Sequence, residues 1–302
     1  MSILSTIKKE RLERPMRILC TGTPGVGKTS FAAQAPEPIF LCAEDGAAQV
    51  EVARYPGPFA TWRDLFAALD VLEKEPHEFR TVVLDTVDGA EPLCWAHVCA
   101  EHNWRSMETT PFNRGYHVAV DEWRRLLAKL DRLREQRGMH VLLLGHTSIR
   151  TFQNPEGDNY DRYVLKLHDK SAALLREWCD AVLFATWETS TVPKGEKKAL
   201  GVDTGARILH TERRAAFDAK NRYSLPAVLP LDWAAFEEAV RAGAVAPPPV
   251  LRARIEAVLA AIADAELSAK VRSHVQRVGD DGRRLAEVLN KLAVRQKEGA
   301  SC

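Results

Sequence analysis

Short apolar runs recur along the first two thirds of the chain, and segments with helical spacing of apolar residues separate them. Near-continuous apolar strands joined by helices are typical of a parallel sheet that is covered on both faces. Ligands of such sheets gather at the carboxyl ends of the strands. The pattern therefore predicts an α/β fold with a central, mostly parallel sheet. After an opening strand at RILC, the runs are PIFLCAEDG (38–46), TVVLDTVDG (81–89), HVLLLGHTSIR (140–150) and CDAVLFATW (179–187).

The composition of the chain changes near residue 245. The run of three prolines from Pro247 to Pro249 cannot continue a helix and predicts a stiff spacer. Beyond it, apolar residues at helical spacing predict a small α-helical appendage. We therefore divide the 302 residues into an N-terminal extension (1–16), a core domain (17–245), a proline linker (246–249) and a helical C-terminal appendage (250–302).

The strongest motif is RILCTGTPGVGKTSFAAQA, in which an apolar strand leads through a glycine-rich turn into a small-residue helix. A phosphate-binding loop requires this context, although a chance glycine-rich turn is the alternative. Backbone amides of such a loop point at the phosphates, Lys28 reaches the β and γ phosphates, and the Thr29 hydroxyl ligates Mg²⁺. The motif predicts that ATP and Mg²⁺ bind here. The predicted nucleotide-binding residues are Gly22, Thr23, Pro24, Gly25, Val26, Gly27, Lys28, Thr29 and Ser30.

Polar residues follow three of the other predicted strands. Asp85 closes an apolar strand where a second acid would hold the Mg²⁺ beside Thr29. Glu44 follows FLCA and is placed to activate water, and His146 follows VLLLG and is placed to sense the γ phosphate. Taken singly, each residue would be an ordinary polar side chain at a strand end. Together with the phosphate-binding loop they predict a catalytic site.

The amino-acid composition limits which binding partners and which cellular compartment we expect. The 42 basic and 41 acidic residues give a net charge of +1, so any nucleic-acid contact must come from local patches. The six cysteines include no CxxC pair, which indicates reduced thiols in a cytoplasmic protein. No stretch of about eighteen apolar residues occurs, so no membrane partner is expected.

The order of these motifs resembles the bacterial recombinase RecA. In AAA proteins the catalytic base usually follows the Mg²⁺ acid directly, but here Asp85 is followed by Thr86. Glu44 in the step CAE is similar to the RecA glutamate that ends the corresponding strand. The segment AKNRYSLP is similar to the KNK segment of RecA, whose two cations reach the ATP of a neighbouring subunit. This resemblance implies that Lys220 and Arg222 act in trans, whereas the alternative is a pair of solvent-facing strand cations.

A group of phage ATP-binding proteins, including RecA-like single-strand annealing proteins, shows a still larger set of these motifs. Over residues 14 to 240 the chain has their GVGKT loop, the GH step at His146, YDRY at 160–163, EWCD at 177–180 and AKNRYSLP at 219–226. The loop GTPGVGKT itself is commoner in AAA proteins. The resemblance implies a RecA-like P-loop ATPase that acts on single-stranded DNA in homologous recombination or annealing. It also implies a homo-oligomer with ATP at subunit interfaces, in the host cytoplasm if a phage encodes the chain.

Two segments are candidates for the predicted DNA contact. The first, 103–117, and the second, 150–163, both mix aromatic residues with arginines. Bases of a single strand stack on aromatic rings while arginines hold its phosphates. The alternative for both segments is a surface loop with partly buried aromatic residues.

Two other functions fit the same motifs. One is an AAA-type, ATP-dependent loader or remodeller of a replication protein, which a protein partner would stimulate. The other is a nucleotide-gated binding module with negligible turnover. A single-strand-binding protein or a replication protein is a candidate protein partner.

Overall fold

The structure is a computed structural model that describes residues 14–44, 50–193, 199–243, 248–262, 264–280, 284–289 and 291–292. Most of the predicted N-terminal extension lies outside these residues. The chain forms two compact units, which divide between Ala239 and Val240.

In the described part of the first unit, ten strands form one sheet in the order β10-β8-β7-β1-β5-β4-β2-β3, with β6 paired to β5 and β9 paired to β7. The strands are β1 (Arg17–Gly22), β2 (Pro38–Cys42), β3 (Ala53–Arg54), β4 (Thr81–Asp85), β5 (His140–Phe152), β6 (Tyr160–Leu165), β7 (Ala181–Pro193), β8 (Ala199–His210), β9 (Lys220–Asn221) and β10 (Val228–Pro230).

The centre of this sheet is parallel, as the apolar runs predict. Strand β1 lies between β5 and β7, and Gly22 is paired with both His146 and Ala185. Strand β4 lies between β5 and β2, with Asp85 paired to Cys42. The carboxyl ends of β1, β2, β4 and β5 are therefore aligned at one edge of the sheet. The prediction of an α/β fold with a mostly parallel central sheet is confirmed.

Strand β5 does not end at His146, where the sequence predicts its end. It runs on to Phe152 and pairs in antiparallel register with β6, from Thr147 opposite Leu165 to Phe152 opposite Tyr160. The second candidate DNA segment, 150–163, is therefore largely a β-hairpin and not a loop, because this cross-strand pairing satisfies its backbone.

Helices cover the faces of the sheet, and polar caps start several of them. The hydroxyl of Thr61 accepts a hydrogen bond from the Asp64 amide, and the Asp64 carboxylate accepts one from the Thr61 amide. The hydroxyl of Thr86 accepts from the Gly89 amide. The helices are α1 (Lys28–Ala33), α2 (Trp62–Lys74), α3 (Val87–His102), α4 (Arg114–Gln136), α5 (Asp169–Trp178) and α6 (Trp233–Gly243).

The long helix α4 shows how one amphipathic segment supports the core. Its leucines at 126, 127, 130 and 133 are buried, as is Trp123, while its charged residues at 114, 121, 124, 125 and 135 are exposed. Trp123 meets Trp62 of α2 edge to face, with ring centroids 5.3 Å apart. The helix begins at Arg114, so the last residues of the first candidate DNA segment are helical.

Most described residues of the second unit are helical, in α7 (Pro248–Ile262), α8 (Ala265–Val278) and a further helical segment at 284–289. Pro248 and Pro249, predicted to lie in a spacer, instead open α7. Proline is tolerated in a first helical turn because the amide there needs no partner within the helix. An apolar cluster unites these helices through Leu251, Ile255, Leu259, Val275, Leu285 and Leu292.

Candidate nucleotide-binding site

The glycine-rich turn between β1 and α1 has the backbone that the phosphate-binding motif predicts. Gly25 and Gly27 have φ angles of 77° and 106°, which favour glycine because side chains are strained there. Gly22 lies so close to the Ala185 carbonyl of β7 that a Cβ would overlap it. Substitution of any of these three glycines would therefore displace the turn.

Lys28 follows the turn and folds back over it. Its side chain is buried, and Nζ donates hydrogen bonds to the carbonyl oxygens of Gly22 and Thr23, both at 3.0 Å. Burial lowers the pKa of the Lys28 ammonium, while nearby groups, including Asp85 and Glu44, oppose that shift. This position against the backbone of the turn suits a lysine that binds phosphate.

The two predicted Mg²⁺ ligands are in contact. Thr29 Oγ1 donates a hydrogen bond to Asp85 Oδ2 at 3.0 Å. Burial raises the pKa of Asp85, and the hydrogen bond from Thr29 opposes this effect. A hydroxyl and a carboxylate oxygen side by side are ligands that Mg²⁺ prefers, and here they adjoin a loop of phosphate-binding geometry. These residues fit Mg²⁺ and a nucleotide.

Glu44 and His146 meet beyond the ends of β2 and the parallel part of β5. Glu44 Oε1 accepts a short hydrogen bond from the Thr86 hydroxyl and lies 4.0 Å from His146 Nδ1. The same Nδ1 lies 3.0 Å from Asp88 Oδ2, and the His146 amide donates to Asp88 Oδ1 at 2.8 Å. The structure thus brings the predicted base and the predicted sensor together.

Asp88 is a site residue that the sequence analysis missed. Its side chain is 5% exposed. Burial disfavours its charge, but hydrogen bonds from His146 outweigh this effect and hold the pKa of Asp88 below its ordinary value. The available signal was its place three residues after Asp85, but acids are common in a first helical turn for reasons unrelated to catalysis.

Gly89 explains how Glu44 reaches this network. A Cβ at Gly89 would lie 2.5 Å from Glu44 Cγ and 2.7 Å from Glu44 Oε1. The glutamate therefore occupies the space that a larger residue would fill, packed on the first turn of α3.

Glu91 lies one turn farther along α3 and joins this helix to α5. It is buried, and its two carboxylate oxygens accept hydrogen bonds from the His168 amide at 3.1 and 3.0 Å. His168 is the residue that caps α5. Burial raises the pKa of the Glu91 carboxyl to about 7. The helix that carries Asp88 and Gly89 is thus held in place by a group that titrates near neutral pH.

The predicted pair Lys220 and Arg222 lies at the other end of the sheet. Lys220 Nζ donates to the last carbonyls of α5 and its cap, those of Arg176, Glu177 and Cys179, at 2.9, 2.8 and 2.6 Å. Strand β9 pairs with the amino end of β7, opposite the phosphate-binding turn.

Lys220 and Arg222 therefore do not share one face of a strand, as residues with this spacing would in an extended segment. Arg222 lies outside the two-residue strand β9, and its Nη1 is 3.3 Å from Asp180 Oδ1. The reason is that carbonyls at the end of α5 and the Asp180 carboxylate attract the two side chains separately. Action of Arg222 in trans stays a prediction, since its side chain is 55% exposed.

The two candidate DNA segments differ in what they expose. In the first, Phe112 is 99% exposed with a φ of 53°, while Tyr116 stacks on the ring of His168. In the second, Arg150 pairs with Asp169 at 2.9 Å, and Arg162 is buried against Asp218. Phe112 is therefore the most exposed aromatic residue of the two segments.

Comparison with known proteins identifies a family and a solved structure with weak similarity. The AAA_24 family, described as an AAA domain, matches residues 14–223, which is more than half of the chain. A crystal structure of the RadB recombinase is similar at 14% identity and a TM-score of 0.36, over 67% of this chain and 84% of that chain. No curated protein matches the chain. Within the described residues, no helix combines the length and the apolar character needed to cross a bilayer.

Proposed function

The chain belongs to the AAA_24 family of AAA domains, and we propose that it is a RecA-like ATPase that acts on single-stranded DNA in recombination or annealing. The observation that carries the ATPase part is the contact between Thr29 and Asp85, beside Lys28 and next to the pair Glu44 and His146. The candidate nucleotide ligands, the candidate Mg²⁺ ligands and a candidate base thus meet at one edge of the sheet.

Each residue then has a chemical task. When bound, MgATP supplies the phosphoryl group that is transferred to water. Lys28 would hold its phosphates, and Thr29 and Asp85 would hold the Mg²⁺. Glu44 orients the attacking water and accepts its proton, since its carboxylate is half-exposed and fixed by the Thr86 hydroxyl. His146, whose Nδ1 is held by Asp88, lies beside Glu44 and is the residue that would sense the γ phosphate.

The DNA part of the proposal rests on the resemblance to RecA and the annealing proteins, and on the exposure of Phe112. An aromatic side chain with its whole face in solvent suits base stacking. In the same proposal, chains assemble with ATP at their interfaces, and Arg222 is the cation offered to a neighbouring site.

The test is an ATPase and DNA-binding assay on the wild type, Lys28→Ala and Glu44→Gln, with and without single-stranded DNA. We expect DNA to stimulate the wild type and Lys28→Ala to lose ATP binding. Glu44→Gln should still bind ATP but turn over roughly 100-fold more slowly, because a general base contributes at least that factor. Glu51→Gln, at an exposed position, is the matched control.

Other outcomes of this assay would contradict the proposal in different ways. If DNA neither binds nor changes turnover, the DNA part of the proposal is wrong. Stimulation by a replication protein instead of DNA would indicate a loader. Tight ATP binding without turnover in the wild type would indicate a nucleotide-gated module.

A further inference from the structure

Arg207 of β8 lies against the phosphate-binding turn, although 180 positions separate it from Gly27. A Cβ at Gly27 would lie 2.5 Å from Arg207 Nη1 and 3.5 Å from its Cζ. None of the sequence motifs includes this arginine. The contact places a permanent positive charge beside the residue that precedes Lys28.

The backbone around Arg207 is held in this position by the sheet. Arg207 pairs with Trp187, two residues beyond the Ala185 that pairs with Gly22. Its carbonyl oxygen accepts a hydrogen bond from the Leu231 amide at 2.9 Å. The strand pairing thus brings Arg207 to the same sheet edge as the phosphate-binding turn.

The guanidinium of Arg207 is exposed and lies 5.9 Å from the centroid of the Trp187 ring. Within the part of the chain that the structure describes, it makes neither a hydrogen bond nor an ion pair. Contact with an aromatic face orients a guanidinium without using its N–H donors. The donors of Arg207 therefore remain available to an anion.

We propose that Arg207 is a phosphate-binding residue that acts within its own subunit, on the α and β phosphates of the nucleotide. This inference rests on the proposed nucleotide binding. The amide of Gly27 belongs to the turn that cradles the α and β phosphates, so an arginine beside it reaches the same oxygens. A guanidinium bonds phosphate oxygens in bidentate fashion.

Calorimetric titration of the purified chain with ATP and with ADP, both in the presence of Mg²⁺, tests the assignment. Arg207→Ala should weaken the binding of both nucleotides about 10-fold or more, which is the usual range for a lost charged hydrogen bond. The ratio of the two affinities should not change, because both nucleotides carry the α and β phosphates. Arg207→Lys should recover part of the loss. Arg124→Ala, at an exposed position of α4, is the control and should bind both nucleotides like the wild type.

A purely structural role would show in the chain without nucleotide, so the melting temperature of each variant is measured as well. Arg207→Ala should have the same melting temperature as the wild type. Unchanged ATP and ADP affinities in Arg207→Ala would overturn the inference, as would a loss confined to ATP. If Lys28→Ala loses ATP binding while Arg207→Ala keeps the wild-type affinity, only the role of Arg207 is refuted. If the folded wild type binds neither nucleotide, the proposed function fails with it.

Discussion

Glu91 predicts a pH dependence of stability that a single substitution should remove. Its carboxyl is buried between α3 and α5 and accepts two hydrogen bonds from the His168 amide. In Glu91→Gln the amide oxygen can still accept from His168, but the side chain no longer titrates. The two proteins therefore differ chiefly in whether this site can ionise.

The size of this pH dependence follows from the raised pKa of Glu91. The folded chain binds the proton up to about pH 7, whereas the ordinary value is 4.5. The stabilising contribution is thus complete below about pH 4.5 and is lost as the pH rises through about 7. Between pH 5 and pH 8 the linkage relation gives a loss of about 2.5 kcal/mol in the free energy of unfolding, relative to a site that does not titrate.

Urea unfolding at pH 5 and pH 8 measures this difference. All seven tryptophans lie before residue 240, so their fluorescence reports on the first unit. From pH 5 to pH 8, Glu91→Gln should gain about 2.5 kcal/mol relative to the wild type. Glu238→Gln, exposed on α6, should show no such gain. If Glu91→Gln and the wild type keep the same difference at both pH values, Glu91 is not the titrating group.

Three further substitutions test the site and its supports. In Gly89→Ala, the new Cβ should push Glu44 aside and lower ATP turnover, while the free energy of unfolding stays equal or rises by up to about 1 kcal/mol; normal turnover would show that Glu44 needs no space there. Asp88→Asn should reduce turnover roughly 10-fold or more with ATP affinity unchanged, because a charged hydrogen bond to His146 is lost; equal turnover would remove Asp88 from the site. Lys220→Ala should lower the free energy of unfolding by about 1 to 3 kcal/mol without nucleotide, since three carbonyls lose their donor; equal urea midpoints would contradict that capping role.

The phosphate-binding turn and the strand ends could be predicted because their information is local. The turn needs glycine where φ is positive, as at Gly25 and Gly27, and this requirement is visible in a few consecutive letters. Glu44, Asp85 and His146 follow apolar runs, and the carboxyl ends of neighbouring parallel strands meet by geometry. The alignment of parallel strands thus brings residues that lie far apart in the chain to one edge of the sheet.

Arg207 could not be predicted in the same way. Its position depends on the register between β7 and β8 and on the close approach of Gly22 to Ala185. A shift of one residue in that register would turn the arginine to the other face of the sheet. No local pattern specifies that register, so one of many arginines becomes a candidate phosphate ligand only through pairing of distant segments.

For Lys220, in contrast, the sequence predicts a role that the fold does not favour. Two cations spaced by one residue would share a face in a strand. Strand pairing here stops at Asn221, and the last turn of α5 leaves carbonyls without partners inside the helix. A lysine within reach satisfies three of them, and each of those hydrogen bonds would have to break before the ammonium could serve a neighbouring subunit. In the proposed assembly, a role in trans would therefore fall to Arg222, which would give up only a partly exposed ion pair.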